Sequence, residues 1–359
     1  MTLSSVQTTL RGLAWTATGA IAISLSSCAA PSATDEAAYN SAEVNAASED
    51  TLQVVTTFLP MTQFTTAVAG DRAEVVQLLP TNVGPHDYQA KPNDVQAIAN
   101  ADVLVKNGLE AEFFLEGMIE NAENADLVIV DSSSGINTIE STGDHDHDHG
   151  EAEHTQEDSH DEAAHGEADH DSEAHSAANS GAADSGEDPH IWLDPKRVIE
   201  QVENIRDGLI AADPEGEAEY SANADAFIAE LTALDADITE TLSPFEGETF
   251  VVFHNFAAYF ADSYGLQFEA LVGVPEENPA PQDVKRVMET VQTEGLKTLL
   301  TEPQVEETSF KALSDDLGIS ISAFNPLETG DSEAIQPGYY IETMRQNAEN
   351  LAAGFKSAS

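Results

Sequence analysis

The chain has 359 residues, 41% of them hydrophobic, with 13 Lys and Arg against 66 Asp and Glu and a formal net charge of -53. That length and apolar content suffice for two domains of ordinary size. The charge excludes a nucleic-acid binder, whose affinity comes from cationic side chains displacing counterions, and it excludes unaided docking on anionic lipid. An acidic surface attracts cations, although a soluble protein from a saline habitat would carry the same excess.

There is one cysteine, Cys28, so an intramolecular disulfide is ruled out. It closes the stretch "LAWTATGAIAISLSSC", an apolar run shorter than a bilayer span that ends in small residues, as an export signal does. "LSSC" resembles the lipobox of bacterial lipoproteins. That resemblance implies a signal peptide over residues 1–27, lipidation of Cys28, and a periplasmic or cell-surface protein held to the membrane by its lipid alone. A plain secretory signal containing a cysteine is the alternative. Residues 28–50, rich in Ala, Ser, Asp, Glu and Asn, read as a flexible tether.

From residue 51 strands and helices alternate. "LQVVTTFLP", "AEVVQLLP", "DVLVKNG" and "DLVIVDSS" read as strands, with helices between them, among these "DVQAIANA" and "EFFLEGMIENA". The strands are near-continuous apolar runs, which predicts a parallel sheet covered on both faces. Order is then expected to break. Residues 144–188 hold 16 acidic residues and 8 histidines, with no Lys or Arg and almost nothing large and apolar. Such a segment cannot offset its ordering entropy. The expected N-terminal lobe is 51–213, with 144–188 as a disordered insertion.

"KRVIEQVENIRDGL" predicts a helix. Over 214–243, Tyr220, Ala224, Phe227, Leu231, Leu234 and Ile238 recur at spacings of three and four, which predicts one long amphipathic helix, a rigid connector between lobes. A second alternating block over 244–359 gives strands "TFVVFHN", "LQFEALVG", "LKTLLTEP" and "ISISAFNP". Its helices are "FAAYFADSYG", "QDVKRVMETVQTEG", "FKALSDDLG" and about 338–355. The fold class is therefore α/β, with two lobes that each carry a parallel sheet flanked by helices and a cleft between them.

Only three of the 11 histidines lie outside the low-complexity segment: His86, His190 and His254. His86 follows a strand, His254 ends one, and His190 stands where the insertion rejoins the fold. Ligands of open parallel sheets bind beyond the carboxyl ends of the strands. Three neutral imidazoles at that address suit zinc, with a fourth position open or filled by oxygen. Glu302 in "LLTEP" and Asn325 in "SAFNP" are the strand-end candidates for it; a hydrogen-bonded loop residue is the competing reading of Glu302. Trp192 and Tyr88 read as packing residues.

"GPHDYQAKPNDVQAIANADVLVKNGLEAEFF", "DPHIWLDP", "VVFHNFAAYFADSYGL", "GVPEENPAPQDV" and "LLTEPQ" follow one another in an order that resembles the metal-binding receptors of bacterial zinc and manganese ABC importers, the zinc receptors above all. The likeness covers about 51–357. It implies two lobes bridged by a rigid helix, metal in the cleft, and ligands at His86, His190 and His254. It also implies a monomer that is no enzyme and that delivers Zn(II) to a permease and its ATPase subunit. Manganese receptors of the family typically have a carboxylate in place of His254. The family commonly has an aspartate at Asn325 and, in some zinc receptors, an acid at Pro85. The fourth ligand is thus left open between Asn325, Glu302 and water.

Zinc receptors of this kind often carry a His- and acid-rich insertion here. His145, His147, His149, His154, His160, His165, His170 and His175 are accordingly expected to hold additional weak zinc beside one tight site; a solvated spacer is the alternative. Imidazoles bind metal only when neutral, so affinity is expected to fall below about pH 6. Other readings are a manganese or other divalent-metal receptor, a surface zinc buffer or adhesin, and a zinc hydrolase. The last lacks an H-E-x-x-H motif and has only Glu302 to offer as a base.

Overall fold

The computed structural model describes residues 51–141, 186–272, 298–302 and 320–357, with helical positions 285–286, 288–290 and 293. The signal and tether (1–50), Cys28, the eight histidines of the insertion, the motif "GVPEENPAPQDV" and the expected helix 310–318 lie outside the described residues.

The first sheet is built from β1 (Leu52–Thr56), β2 (Ala73–Gln77), β3 (Val103–Lys106) and β4 (Val128–Asp131), all parallel, in the order β2-β1-β3-β4. Central β3 buries Val103, Leu104 and Val105 completely, while edge strand β2 leaves Val76 exposed. Crossovers run through α1 (Leu59–Ala69), α2 (Pro92–Ala99) and α3 (Leu115–Ala122). The second sheet repeats the plan with β5 (Thr249–His254), β6 (Gln267–Val272), β7 (Thr298–Thr301) and β8 (Ser320–Ala323), parallel in the order β6-β5-β7-β8. Between β4 and β5 stand two helices, α4 (Pro195–Ala212) and α5 (Glu217–Leu242). α6 (Ala258–Tyr264) links β5 to β6, and α7 (Pro337–Ser357) closes the described chain.

α4 starts where Asp194 accepts the Lys196 amide and Pro195 takes the first turn. It crosses β4 so closely that a β-carbon on Gly208 would stand 2.3 Å from Val130. α5 buries Tyr220, Ala224, Phe227, Leu231, Leu234, Ile238 and Leu242, which is the stripe read from the sequence with one more turn. That stripe packs on α4, α1 and α7. The buried cluster it belongs to also takes in Val54, Val103 and Val130 of the first sheet and Phe250, Val252 and Leu300 of the second, so one continuous core runs through the two lobes. At roughly 1.5 to 3 kcal/mol per large buried side chain, this helix ties the lobes together far more tightly than a tether would.

The last three residues of the expected insertion, 186–188, are ordered, which moves its expected C-terminal boundary. Residues 186–188, expected to be its tail, form an antiparallel bridge with 139–141, Glu140 opposite Glu187. Ser141 N donates to Gly186 O and Asp188 N to Ile139 O, and Thr138 adds a bond to the Glu187 side chain. The two ends form a neck because paired backbone groups offset the entropy that composition alone leaves uncompensated. Among the described residues no helix is long and apolar enough to cross a membrane.

Candidate metal centre

Both sheets turn the carboxyl ends of their strands towards one point. His86 stands in the short turn Pro85–Asp87 beyond β2. His190 precedes the turn Ile191–Leu193 that leads into α4. His254 is the last residue of β5. These three meet a residue that the sequence reading did not single out, Glu328, in the segment between β8 and α7. One ligand atom from each of the four lies within 4.8 Å of all the others.

His86 Nε2 is 3.4 Å from His190 Nε2. Glu328 Oε1 is 3.3 Å from His254 Nε2, 3.6 Å from His190 Nε2 and 3.8 Å from His86 Nε2. Donors of a tetrahedral zinc ion at ~2.0–2.1 Å stand about 3.3 Å apart. The cluster is therefore spaced within about half an ångström of that geometry on these four edges. His190, His254 and Glu328 are buried, and His86 is largely covered. Glu328 Oε1 is buried and, among the described residues, has no hydrogen-bond donor in bonding geometry, as expected of an oxygen reserved for a cation.

Two further acids stand behind the imidazoles. Asp188 Oδ1 lies 2.7 Å from His190 Nδ1 and accepts the His190 amide at 2.9 Å. Glu302 Oε1 lies 3.0 Å from His254 Nδ1. In each case a proton on Nδ1 leaves the Nε2 lone pair facing the cluster, the usual way a carboxyl group fixes a metal-binding tautomer. Burial disfavours the charged form of His190, but Asp188 outweighs it, so the His190 pKa is raised. Burial also pushes the Glu328 carboxyl up, yet His254, His190 and His86 hold it well below the usual carboxylate range.

Neither sequence candidate for the fourth position joins the cluster. Glu302 contacts the far side of the His254 ring, at the distance of an orienting group. Asn325 is turned into its own loop: its Oδ1 accepts the Leu327 amide at 2.8 Å, and its backbone is held on both sides by the Asn347 side chain. That turn puts buried Leu327 at φ 66. A left-handed leucine costs about 1–2 kcal/mol, and here it swings the next residue, Glu328, inwards. The Trp192 indole donates to Pro326 O at 2.8 Å and secures the same loop. Tyr88 is buried and bonds Asp94. The signal for Glu328 was the "FNPLE" string itself, read one turn too early.

The family model described as "Zinc-uptake complex component A periplasmic" matches residues 54–354. The chain belongs to that family. Its members are solute-binding proteins of zinc and manganese ABC importers, not enzymes. The zinc-binding protein AdcA of Streptococcus pyogenes serotype M3 is 31% identical over 305 residues, 84% of this chain and 56% of that protein. The chain thus spans little more than half of the streptococcal relatives. The manganese-binding lipoprotein MntA of Halalkalibacterium halodurans is 29% identical over 321 residues, 87% of this chain and 92% of that protein. Among solved structures, a crystal structure of ZnuA superposes with TM-score 0.65 at 25% identity, covering 85% of this chain and 99% of the other. Zn(II)-bound AdcA from Streptococcus pneumoniae does so with TM-score 0.65 at 26% identity, covering 85% and 57%.

Proposed function

We propose that the protein captures extracytoplasmic Zn(II) at His86, His190, His254 and Glu328 and delivers it to an ABC permease driven by its ATPase subunit. The observation that carries this reading is the largely buried set of three imidazole nitrogens and one carboxylate oxygen, gathered within 4.8 Å of one another with four of their six separations between 3.3 and 3.8 Å. Nitrogen-rich four-coordinate sites suit zinc, whereas manganese prefers more oxygen ligands. Three neutral imidazoles and one carboxylate also leave a bound Zn(II) site with a single positive charge, a modest burden for a buried cavity. The similarity to zinc-binding AdcA supports the same assignment, while the similarity to manganese-binding MntA makes manganese the competitor to test.

The remaining parts of the reading concern residues outside the described structure. The protein is exported and lipid-anchored at Cys28, and it works as a monomer. The histidines from His145 to His175 hold further zinc weakly and raise its concentration near the tight site.

Competition titration with zinc and manganese tests the whole proposal on three proteins: the wild type, a variant lacking 142–185, and that variant with His86, His190 and His254 changed to alanine. The expected result is one tight zinc equivalent that survives the deletion, disappears in the triple variant and outcompetes manganese. Loss of the tight equivalent with the insertion would reject the cleft site, and manganese binding as tightly as zinc would reject the selectivity. Unchanged total stoichiometry after the deletion would reject the accessory role of the insertion.

A further inference from the structure

Tyr259 is not one of the four clustered side chains, yet it is fully buried and its two hydrogen bonds cross from α6 to the side of the first sheet. Its hydroxyl donates to Asp188 O at 2.6 Å and accepts the Ile139 amide at 3.1 Å. Those two backbone groups belong to the two arms of the neck, 186–188 and 139–141. The ring packs with Ile136 and Ile191, flanked by Leu109 and Ile139, in an apolar cluster separate from the main core. The Arg197 guanidinium lies 4.6 Å from the ring centre, close enough for a cation–π contact. Burial pushes the phenol up to about 12, so it stays a neutral donor.

Two of these contacts, Asp188 and Ile191, flank His190 in the chain. Asp188, whose carbonyl Tyr259 holds, orients His190 through its side chain. Ile191 follows His190 directly. α6 begins only four residues after His254. A single side chain therefore fixes the segment that carries one histidine relative to the element that follows another.

We propose that Tyr259 is a positioning residue: it latches the neck of the insertion to the second lobe, sets the separation of His190 and His254, and so governs how fast bound metal leaves. The inference rests on the metal-centre reading above. It adds to that reading that the neck, whose arm 186–188 composition assigns to the insertion, belongs mechanically to the tight site.

The test is Tyr259→Phe in the full protein, which removes two hydrogen bonds and keeps the ring. Three quantities are compared with the wild type: release of the tight zinc equivalent to an excess of chelator, the visible absorption of the Co(II)-substituted site, and the melting temperature of the metal-free protein. The expected result is release about tenfold faster, equal to about 1.4 kcal/mol, with a changed cobalt band. Release and cobalt spectrum equal to the wild type overturn the latch whatever the melting temperature does, because a purely structural role moves only the latter. Absence of any tight equivalent from the wild type overturns the metal-centre reading, and is recognised before variants are compared. If Tyr259→Phe does not fold, hydrogen exchange on the wild type decides: zinc should slow exchange of the Ile139 amide at least tenfold, and an unchanged rate refutes the latch.

Discussion

Replacing Asp188 by asparagine isolates the charge behind His190. The Asp188 side chain is almost wholly buried and its Oδ1 serves both the ring Nδ1 and the backbone amide of His190. An asparagine in the same place must keep its oxygen there, since the His190 amide N–H would clash with an asparagine NH2. The NH2 then occupies the position of Oδ2, which has no partner among the described residues, and costs about 1–3 kcal/mol of stability with or without metal. That cost cancels in binding. What remains is the exchange of a charged acceptor for a neutral one, about 1–1.5 kcal/mol, or roughly tenfold weaker zinc binding at neutral pH, at the low end of the ten- to hundredfold cost typical of such orienting groups. A second signature follows from the pKa. Asp188 raises the proton affinity of His190, so Asp188→Asn lowers it, and protons compete with zinc only at lower pH. Competition titrations between pH 5 and 8 should show the variant weaker at the top of the range and falling less steeply towards the bottom. Affinity unchanged to within twofold would refute the orienting role, and a loss beyond a thousandfold in a folded protein would mean that Asp188 itself binds the metal.

Three other outcomes are expected. Glu328→Ala should weaken zinc by well over tenfold in the same titration. Asn325→Ala, which loosens only the turn, should cost less; the reverse ranking would return Asn325 to the site. In the wild type, zinc affinity should begin to fall above the ordinary histidine pKa of about 6.5, because metal must displace a proton from a His190 whose pKa is raised; affinity flat from pH 8 to pH 5 would exclude imidazole ligation. Phe227→Ala, in the buried stripe of α5, should destabilise by about 3–5 kcal/mol. Calorimetry should still record one transition, since the core is continuous; two separated peaks would show independent lobes.

The strands and helices were legible because each buries a face with its own period. The α5 stripe from Tyr220 to Ile238 could be read residue by residue for that reason. Strand order was not legible: nothing in the apolar runs of β1 and β3 says that they pair in the middle of a sheet. The three histidines stood out because the rest of their kind is confined to one low-complexity stretch. Glu328 did not, as one acid among 66. What brings it into the cluster is a left-handed turn at Leu327, a conformation that leucine does not announce. The neck escaped for the opposite reason: Gly186, Glu187 and Asp188 look like the composition they end, while their backbone bonds belong to the fold.

The ring of Phe64 in α1 meets that of Tyr340 in α7 edge-on, with centroids 5.0 Å apart, and the Tyr340 hydroxyl reaches back to Trp192 O. The first helix of the described chain and its last share a surface. During synthesis that surface stays unfinished until α7 itself has been made, so stable folding of the two lobes waits on that late helix.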